Sequence, residues 1–442
     1  MQTILVVGAG KTSVYLVDYL LTHAQRSGWK VIVADNSLEA INDKTNNHPA
    51  AEAQVLDITD DKKRAALVAK SDIVVSLLPP ALHILLANDC LKHKKHLITS
   101  SYVSPEMKEL GAQVKQAGLM FMCEMGLDPG IDHMTANHIL HGIQKVAGAI
   151  TSFKSFTGGL VSSESDTNPW HYKFSWNPRN VVLAGRDGAK YLSNGKIVDV
   201  PYEEVFAHPK RGAKIDGVGP LVYYPNRDSL TYMELYDLPD VKTFLRATYR
   251  YQDFIKGWNV LVQLGLTDPD DKVKDSTYAA WVRTKNGFDD KKPLIKQVAD
   301  KMGLPADDTH ITMVEWLGIF DDEPIKPKKN NSADILLDVL LRKWVLKPDD
   351  KDLVVMRHEL EYIHKSNKKT TLVSTMALKG VNAKYSAMAK TVGLPMAILT
   401  RLVLNKKIKP PLGVCIPNMP SVYRPVLAEL SEHGIVFKEE ID

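Results

Sequence analysis

Short runs of β-branched and aliphatic residues alternate with segments of helical periodicity through the first part of the chain. The runs predict six strands, at Thr3–Val7, Lys30–Ala34, Gln54–Leu56, Ile73–Leu77, His96–Thr99 and Leu119–Cys123. The segments between them predict a helix carrying Val14 on its apolar face, a helix near Asp61–Ala69 and a helix over Ala81–Leu91. Strands that alternate with helices form a parallel sheet, so this part of the chain predicts an α/β dinucleotide-binding (Rossmann) domain.

The pattern changes after this first part. Short β-rich pieces, aromatic residues and Gly/Pro/Asn turns over Thr151–Tyr236 predict an open antiparallel sheet. The segment Pro239–Pro348 is predicted to be mostly helical. Strand-like patterns return at Leu353–Leu360 and near Thr370–Leu378.

Two amphipathic helices are predicted near the end of the chain, at Ser386–Leu404 and Pro420–His433. We expect this last segment to return to the first domain. The predicted domains are a Rossmann domain over 1–128 completed by about 388–442, a sheet domain over 129–236 plus 349–387, and a helical domain over 237–348.

Length and composition limit the classes of protein that fit. A chain of 442 residues predicts two or three domains. No segment approaches about 18 uninterrupted apolar residues, and the N-terminus lacks a secretory pattern, so no membrane span is expected. The widely spaced Cys90, Cys123 and Cys415 predict reduced thiols in a cytoplasmic protein, with Cys123 in the core. A net charge of +4 does not argue for nucleic-acid binding.

A glycine-containing turn joins the first predicted strand to the first helix, with the sequence Gly8-Ala9-Gly10-Lys11-Thr12-Ser13. The first glycine permits a tight turn, and the second permits close approach of a pyrophosphate to the backbone. The helix N-terminus then offers free N–H groups to the phosphates. Ser13 replaces the third glycine of the usual fingerprint. Leu5 stands where a phosphate-binding P-loop would need glycine, which excludes that motif.

Asp35 ends the second predicted strand, where a carboxylate can accept hydrogen bonds from ribose hydroxyls and would repel a 2′-phosphate. Since no arginine follows it closely, NAD is the expected cofactor and NADP the alternative. A cap or turn is the competing interpretation of Asp35. Asp57 is expected near the adenine edge or as a helix cap. Leu78 and Ser100, after the fourth and fifth strands, complete the expected cofactor residues.

Several short sequence motifs along the chain carry a family resemblance when they are taken together and in order. They are Ser100–Pro105, Gly126–His133, Asn168–Pro169, Tyr172–Trp176, Tyr224–Ser229, Arg250–Gln252 and Ala389–Pro395. Through nearly its whole length the chain resembles the saccharopine dehydrogenase, L-glutamate-forming, family. The resemblance implies NAD(P)-dependent cleavage of saccharopine to glutamate and 2-aminoadipate 6-semialdehyde in lysine metabolism. It also implies a Rossmann domain, a mixed sheet domain and a helical insertion.

The resemblance also assigns roles to particular residues. Asp128, in a Gly/Pro-rich turn after the sixth strand, is expected to orient or deprotonate the substrate amine or the attacking water. Tyr102 is expected to assist proton transfer or to bind substrate, and Ser101 to contact substrate. The cations expected to bind substrate carboxylates are Lys173, Arg227 and Arg250.

Structural interpretations compete with these roles. Asp128 could cap the following segment, Tyr102 could be a buried structural hydroxyl, and Arg227 could pair with Asp228. For His133, His138 and His141, which share one predicted helix, ordinary helix positions are favoured over a metal site. One departure from the family is Thr157, because the resemblance implies a cysteine with an acid/base role before the Gly158-Gly159 pair.

Two rival functions remain open from the sequence. The first is a related dehydrogenase of another amino-acid-linked imine, such as a carboxynorspermidine-type polyamine precursor. The second is a non-catalytic dinucleotide-binding regulatory protein. The expected partners are small-molecule substrates, with a homodimer as one expected assembly. The sequence does not fix the physiological direction of the reaction.

Overall fold

The computed structural model describes residues 1–145, 147–326 and 329–442. The chain forms two compact units. Unit 1 comprises Met1–Ala149, Tyr362–Thr370 and Ser374–Asp442, and unit 2 comprises Ile150–Glu361 and Thr371–Val373.

Unit 1 contains a seven-stranded sheet in the order β16-β6-β5-β4-β1-β2-β3. Its strands are β1 (Gln2–Val7), β2 (Trp29–Asp35), β3 (Ala51–Val55), β4 (Ile73–Ser76), β5 (His96–Thr99), β6 (Met120–Met122) and β16 (Gly413–Cys415). All neighbouring strands run parallel. The six predicted strands are confirmed. The seventh, β16, comes from the C-terminal segment, which confirms that this segment returns to the first domain.

Helices cover the unit 1 sheet. They are α1 (Val14–Ser27), α2 (Leu38–Thr45), α3 (Asp61–Lys70), α4 (His83–His93), α5 (Pro105–Glu109), α6 (Gly111–Gln116), α7 (Ile131–Ile143), α16 (Ala387–Leu404) and α17 (Pro420–Glu432). A short 3-10 helix, Pro80–Leu82, precedes α4. Helix α2 was not predicted; the Ser37 side chain caps it by accepting a hydrogen bond from the Ala40 N–H. Helix α1 ends at Gly28, which adopts a left-handed conformation.

Helix α16 is long and apolar enough to cross a membrane by length and composition alone, and 78% of that window is buried inside the protein. It packs closely on α1, since a Cβ at Gly393 would lie 2.9 Å from the Leu16 backbone nitrogen. This contact identifies α16 as a core helix of unit 1.

The sheet of unit 2 has the strand order β10-β11-β13-β7-β14, with β8, β9 and β12 beside it. The strands are β7 (Ala147–Val161), β8 (Ala189–Ser193), β9 (Lys196–Val200), β10 (Lys210–Ile215), β11 (Gly219–Pro225), β12 (Arg227–Asp228), β13 (Thr243–Arg250) and β14 (Asp352–His364). In unit 1, β17 (Lys438–Ile441) lies beside β15 (Lys369–Lys379). The prediction of an antiparallel sheet is wrong for β12 and β8, which pair in parallel. Strand β7 also pairs in parallel with β13, so the sheet is mixed.

The remaining helices belong to unit 2. They are α8 (Pro178–Val182), α9 (Tyr202–Val205), α10 (Thr231–Leu235), α11 (Gln252–Gln263), α12 (Tyr278–Asn286), α13 (Leu294–Met302), α14 (Thr309–Trp316) and α15 (Ser332–Lys343). A second 3-10 helix spans Ser163–Ser165. The helices of unit 2 pack around a core that includes the fully buried Trp170, Trp258, Trp281 and Trp344. The helical prediction is confirmed from Gln252 onward, but it missed strand β13.

The predicted sheet and helical domains lie together in unit 2, apart from residues 129–149, 362–370 and 374–387, which lie in unit 1. The three-domain division therefore stays a prediction.

Candidate active site

The turn between β1 and α1 is tight at its first glycine and open at its second. Gly8 has a φ of +106°, and a Cβ there would lie 3.1 Å from the carbonyl carbon and oxygen of Leu77. The Gly8 N–H donates to the Ala34 carbonyl at 2.8 Å. A Cβ at Gly10, in contrast, would have no atom within 4 Å. Gly8 is therefore required by the fold, whereas the space at Gly10 is free for a ligand.

The same turn leaves the N-terminus of α1 open. The buried Ser13 hydroxyl donates to the Gly10 carbonyl at 2.9 Å and accepts no hydrogen bond from the first helical turn. No acidic side chain stands in that turn. Lys11 is exposed, but partial removal from water lowers the pKa of its ammonium group, and Thr12 is half-buried. Helix N–H groups and a nearby cation form an environment suited to an anion.

Asp35 holds the glycine turn from the end of β2. One carboxylate oxygen accepts a hydrogen bond from the Ala9 N–H at 2.7 Å, and the other accepts one from the Ser37 N–H at 3.0 Å. Asp35 therefore stabilises the glycine turn, as the turn interpretation expects, and its role at the ribose stays a prediction.

Asp57 is exposed and organises the turn before α3. It accepts hydrogen bonds from the Thr59 hydroxyl and N–H, which lower the pKa of its carboxyl group. The cap of α3 is Asp60, so the prediction of Asp57 as a helix cap is wrong. The cofactor role of Asp57 stays a prediction.

Tyr102 and Asp128 come together at the carboxyl edge of the unit 1 sheet. They follow the neighbouring parallel strands β5 and β6, and the Tyr102 hydroxyl donates to Asp128 Oδ1 at 2.9 Å. Both side chains are half-buried. Gly130, with a φ of +149°, closes the turn that carries Asp128; a Cβ there would lie 2.0 Å from the Gly126 carbonyl oxygen. The structure therefore places the two predicted catalytic residues in direct contact.

A buried histidine that the sequence did not single out contacts the predicted substrate residue Ser101. His83 Nδ1 lies 2.8 Å from the Ser76 hydroxyl, and His83 Nε2 lies 2.8 Å from the Ser101 hydroxyl. Burial lowers the pKa of His83 to about 4, so the ring is neutral at pH 7. A lone histidine after a proline-rich turn gave no pattern from which this contact could be predicted.

The other two residues predicted at this edge are also in unit 1. Leu78 is partly buried against the apolar cluster beneath the sheet. Ser100 is half-buried, and its Cβ lies 3.2 Å from the position that a Cβ on Gly126 would take.

In unit 2, two of the three predicted carboxylate-binding cations already have acidic partners. The buried Lys173 ammonium donates to Asp350 Oδ2 at 2.6 Å. Arg227 is exposed and pairs with Asp187 at 3.2 Å, and the alternative of a pair with Asp228 stays a prediction. Such contacts are typical of structural ion pairs.

Arg250 differs from both. Its side chain is 5% exposed, Nη1 donates to the Tyr249 carbonyl at 2.8 Å, and the guanidinium lies 5.3 Å from the centre of the Tyr172 ring and 5.5 Å from that of Phe254. Within the described residues, Arg250 Nε has no hydrogen-bond partner. A buried guanidinium N–H without an acceptor is costly in a folded protein, and an incoming carboxylate would satisfy it.

A buried hydroxyl shares a sheet face with Arg250. Thr157 on β7 pairs directly with Thr248 on β13, two residues before Arg250, so the three side chains point to the same side. The Thr157 Oγ1 atom is buried and has no hydrogen-bond partner within the described residues. On the opposite side of the sheet, Phe156 and Tyr249 pack into an apolar cluster. The face that carries Arg250 thus has two buried polar atoms, Arg250 Nε and Thr157 Oγ1, that lack a hydrogen-bond partner among the described residues.

The histidines of α7 have neighbours of other kinds. His133 Nε2 lies 2.7 Å from Glu124 Oε2, His141 Nδ1 lies 2.8 Å from the Tyr423 hydroxyl, and His138 contacts the Tyr423 ring edge-on. In the described part of the chain, no group of three or more His, Cys, Asp or Glu residues could hold a metal ion. Cys123 is a core thiol, as predicted, and burial raises its pKa to about 12.

Relatives cover the whole chain. It is 33% identical to the saccharopine dehydrogenase [NADP(+), L-glutamate-forming] of Schizosaccharomyces pombe, with 100% of this chain and 99% of that protein aligned. It is 34% identical to the protein of the same name from Saccharomyces cerevisiae, with 99% of each chain aligned. It is also 33% identical to the mitochondrial alpha-aminoadipic semialdehyde synthase of Bos taurus, and that alignment covers 99% of this chain and 47% of that protein.

The relatives overturn the expected preference for NAD. The names of both fungal relatives specify NADP(+). The preference was inferred from the Asp35 carboxylate and from the lack of an arginine close after it; in the structure that carboxylate accepts hydrogen bonds from the Ala9 and Ser37 N–H groups. A nicotinamide dinucleotide remains the supported cofactor.

Family models and a solved structure agree with these relatives. Residues 4–122 match the saccharopine dehydrogenase NADP binding domain, and residues 126–435 match the saccharopine dehydrogenase C-terminal domain. The apo saccharopine dehydrogenase (L-Glu forming) from Saccharomyces cerevisiae superimposes with a TM-score of 0.87, covering 100% of both chains at 32% identity. The chain therefore belongs to the saccharopine dehydrogenase family.

Proposed function

We propose that this protein oxidises saccharopine with NADP⁺, releasing L-glutamate and 2-aminoadipate 6-semialdehyde, and that it also catalyses the reverse reaction. The observation that carries the proposal is the Tyr102–Asp128 hydrogen bond, which lies at the same edge of the sheet as the glycine turn. The chain also aligns end to end with proteins named saccharopine dehydrogenase [NADP(+), L-glutamate-forming]. The choice of NADP over NAD rests on the relatives.

The residues of the glycine turn fit a dinucleotide. Bound NADP⁺ would supply the hydride acceptor for the carbon next to the substrate's secondary amine. The open space at Gly10 would admit the pyrophosphate, and the uncapped N-terminus of α1 would donate N–H groups to it. Lys11 and Thr12 would contact the phosphates. Ser13 would keep the turn closed through the hydrogen bond from its hydroxyl to the Gly10 carbonyl. Leu78, Ser100 and Asp57 are the remaining proposed contacts.

The chemistry requires proton transfers at the bridging nitrogen and at a water molecule. Loss of hydride from the carbon beside the amine gives an imine, and water adds to that imine before the carbon–nitrogen bond breaks. An ionised Asp128 can accept a proton from the amine or from the attacking water. The Tyr102 hydroxyl donates to Asp128 Oδ1 and so helps to fix the orientation of the carboxylate. Ser101, held by His83, would bind substrate beside them.

Saccharopine also carries three carboxylates. We assign one of them to Arg250, because its buried Nε lacks an acceptor in the described part of the chain and its planar guanidinium can bind a carboxylate through two N–H groups. The Thr157 hydroxyl would donate to the same anion or to a neighbouring polar atom. Lys173 and Arg227 are weaker candidates, since Asp350 and Asp187 already neutralise them.

The test is an assay of the purified protein with saccharopine and either nucleotide. We expect reduced nicotinamide to form faster with NADP⁺, together with glutamate and the semialdehyde in equal amounts. Release of lysine and 2-oxoglutarate, or turnover of a carboxynorspermidine-type amine in preference to saccharopine, would overturn the assignment. A cytoplasmic location and a homodimer stay predictions.

A variant pair tests the role of Asp128. Asp128→Asn keeps the size of the side chain and its bond from Tyr102 but removes the base, so turnover should fall by roughly 10²–10⁴. The exposed turn residue Asp240 supplies the matched control, Asp240→Asn, which should retain turnover. Wild-type turnover by Asp128→Asn would show that Asp128 has only a turn role.

A further inference from the structure

Three ionisable side chains are buried next to the Tyr102–Asp128 pair and take no part in the chemistry described above. Glu124, Asp132 and His133 are 3%, 1% and 0% exposed. Charged groups are costly to bury unless hydrogen bonds compensate them. The contacts of these three residues therefore indicate what they stabilise.

Glu124 fastens the backbone on both sides of Tyr102. Its N–H donates to the Ser101 carbonyl at 3.0 Å, and its Oε1 accepts the Val103 N–H, also at 3.0 Å. Tyr102 is the residue between these two anchors. The segment after β5 has no regular secondary structure, so these bonds replace the ladder bonds that a strand would have made.

Asp132 does the same for the turn that carries Asp128. Its N–H donates to the Leu127 carbonyl at 3.1 Å, and its Oδ1 accepts the Gly130 N–H at 2.6 Å. Asp128 lies between these anchors, as Tyr102 lies between those of Glu124.

His133 connects the two carboxylates. Its Nε2 lies 2.7 Å from Glu124 Oε2, and its Nδ1 lies 3.6 Å from Asp132 Oδ2. The first distance is that of a strong hydrogen bond and the second is that of a weaker electrostatic contact. One buried ring thus couples the anchor of Tyr102 to the anchor of Asp128.

We propose that Glu124, His133 and Asp132 are positioning residues that hold the Tyr102 hydroxyl and the Asp128 carboxylate at proton-transfer geometry. The inference rests on the proposed function for its kinetic consequences, but not for its structural ones. Small displacements of a catalytic group are costly in rate because proton transfer requires hydrogen-bond contact. None of the three touches substrate in this account; they act through the two loops.

The kinetic test is a double-mutant cycle. Glu124→Gln keeps the shape of the side chain but removes its charge, and it should lower kcat by about tenfold or more while KM and nucleotide affinity change less than about twofold. In a Tyr102→Phe background the same change should cost much less, because the hydroxyl to be positioned is absent. The control is Glu106→Gln, on the exposed surface of α5, which should leave kcat unchanged. Additive effects of Glu124→Gln and Tyr102→Phe would overturn the proposal.

Backbone hydrogen exchange tests the anchors without any turnover. Glu124→Gln should raise exchange in residues 101–104 and, through His133, in residues 126–131, with little change elsewhere in unit 1. Unchanged exchange in both segments would overturn the proposal even if saccharopine is confirmed as the substrate. Raised exchange in a protein that does not oxidise saccharopine would support the positioning cluster and reject only the proposed function. If Glu124→Gln does not fold, His133→Gln serves in both experiments.

Discussion

Replacing the two glycines of the β1–α1 turn by alanine separates nucleotide binding from folding. A Cβ at Gly10 meets no atom within 4 Å, so Gly10→Ala should change the free energy of unfolding by less than about 1 kcal/mol. Gly8 has a φ of +106° and would place its Cβ 3.1 Å from Leu77 backbone atoms. Backbone strain of that kind costs about 1–3 kcal/mol, so Gly8→Ala should lower the unfolding temperature.

The effect of Gly10→Ala should appear in affinity instead. The new methyl group would occupy the space through which the pyrophosphate reaches the N–H groups of the turn. Loss of one hydrogen bond to a charged group costs about 1.5–3 kcal/mol. At about 1.4 kcal/mol for each factor of ten, the Kd for NADPH should rise by roughly tenfold to hundredfold.

The assay combines a calorimetric titration with NADPH and a thermal melt without nucleotide. Gly10→Ala should melt with the wild-type protein but bind NADPH weakly, whereas Gly8→Ala should melt earlier. Wild-type NADPH affinity in a folded Gly10→Ala variant would refute the placement of the nucleotide at this turn.

Three further predictions follow from individual side chains. Burial lowers the pKa of His83 from 6.5 to about 4. Between these pH values the unfolded chain binds a proton at His83 and the folded protein does not. The free energy of unfolding is therefore at its full value above pH 6.5 and decreases as the pH falls toward 4. His83→Gln should remove about 2–3 kcal/mol of this pH-dependent loss of stability. Thermal melts from pH 4 to 7 would measure it, with the exposed His433→Gln as the control. The same dependence of stability on pH in the wild type and in His83→Gln would contradict this prediction. Asp35→Ala frees the Ala9 N–H and should weaken binding of NADP⁺ and NAD⁺ alike in titrations, whereas a switch in preference would restore the ribose interpretation. Arg250→Met should raise the KM for saccharopine by roughly tenfold to hundredfold at unchanged nucleotide affinity, and an unaltered KM would remove Arg250 from the substrate site.

The strand pattern of the Rossmann sheet was visible because its central strands contain continuous apolar runs, as at residues 73–75 of β4. Strand β16 could not be predicted, since three residues, Gly413–Cys415, carry no period of their own and depend on pairing with β6. Strand β13 did carry a signal. From Leu245 to Arg250 apolar and polar side chains alternate, but a neighbouring helical segment concealed this alternation.

The site residues divide in a similar way. Tyr102 and Asp128 were predictable because carboxyl ends of adjacent parallel strands meet at one edge. The environments of the cations were not predictable. A sequence does not show that Lys173 pairs with Asp350, far along the chain, or that Arg250 Nε has no hydrogen-bond partner among the described residues. The hydrogen bond that Asp35 accepts from the Ala9 N–H was not predictable for the same reason, since Ala9 lies in a different turn.

A crystal structure of the protein with NADP⁺ and saccharopine would test the central claim most directly. The pyrophosphate should lie against the Gly8–Ser13 turn at the N-terminus of α1, and the bridging nitrogen of saccharopine, or a water molecule beside it, should lie within hydrogen-bond distance of the Asp128 carboxylate. A nucleotide bound away from that turn, or a substrate nitrogen that neither Asp128 nor an intervening water can reach, would contradict the account.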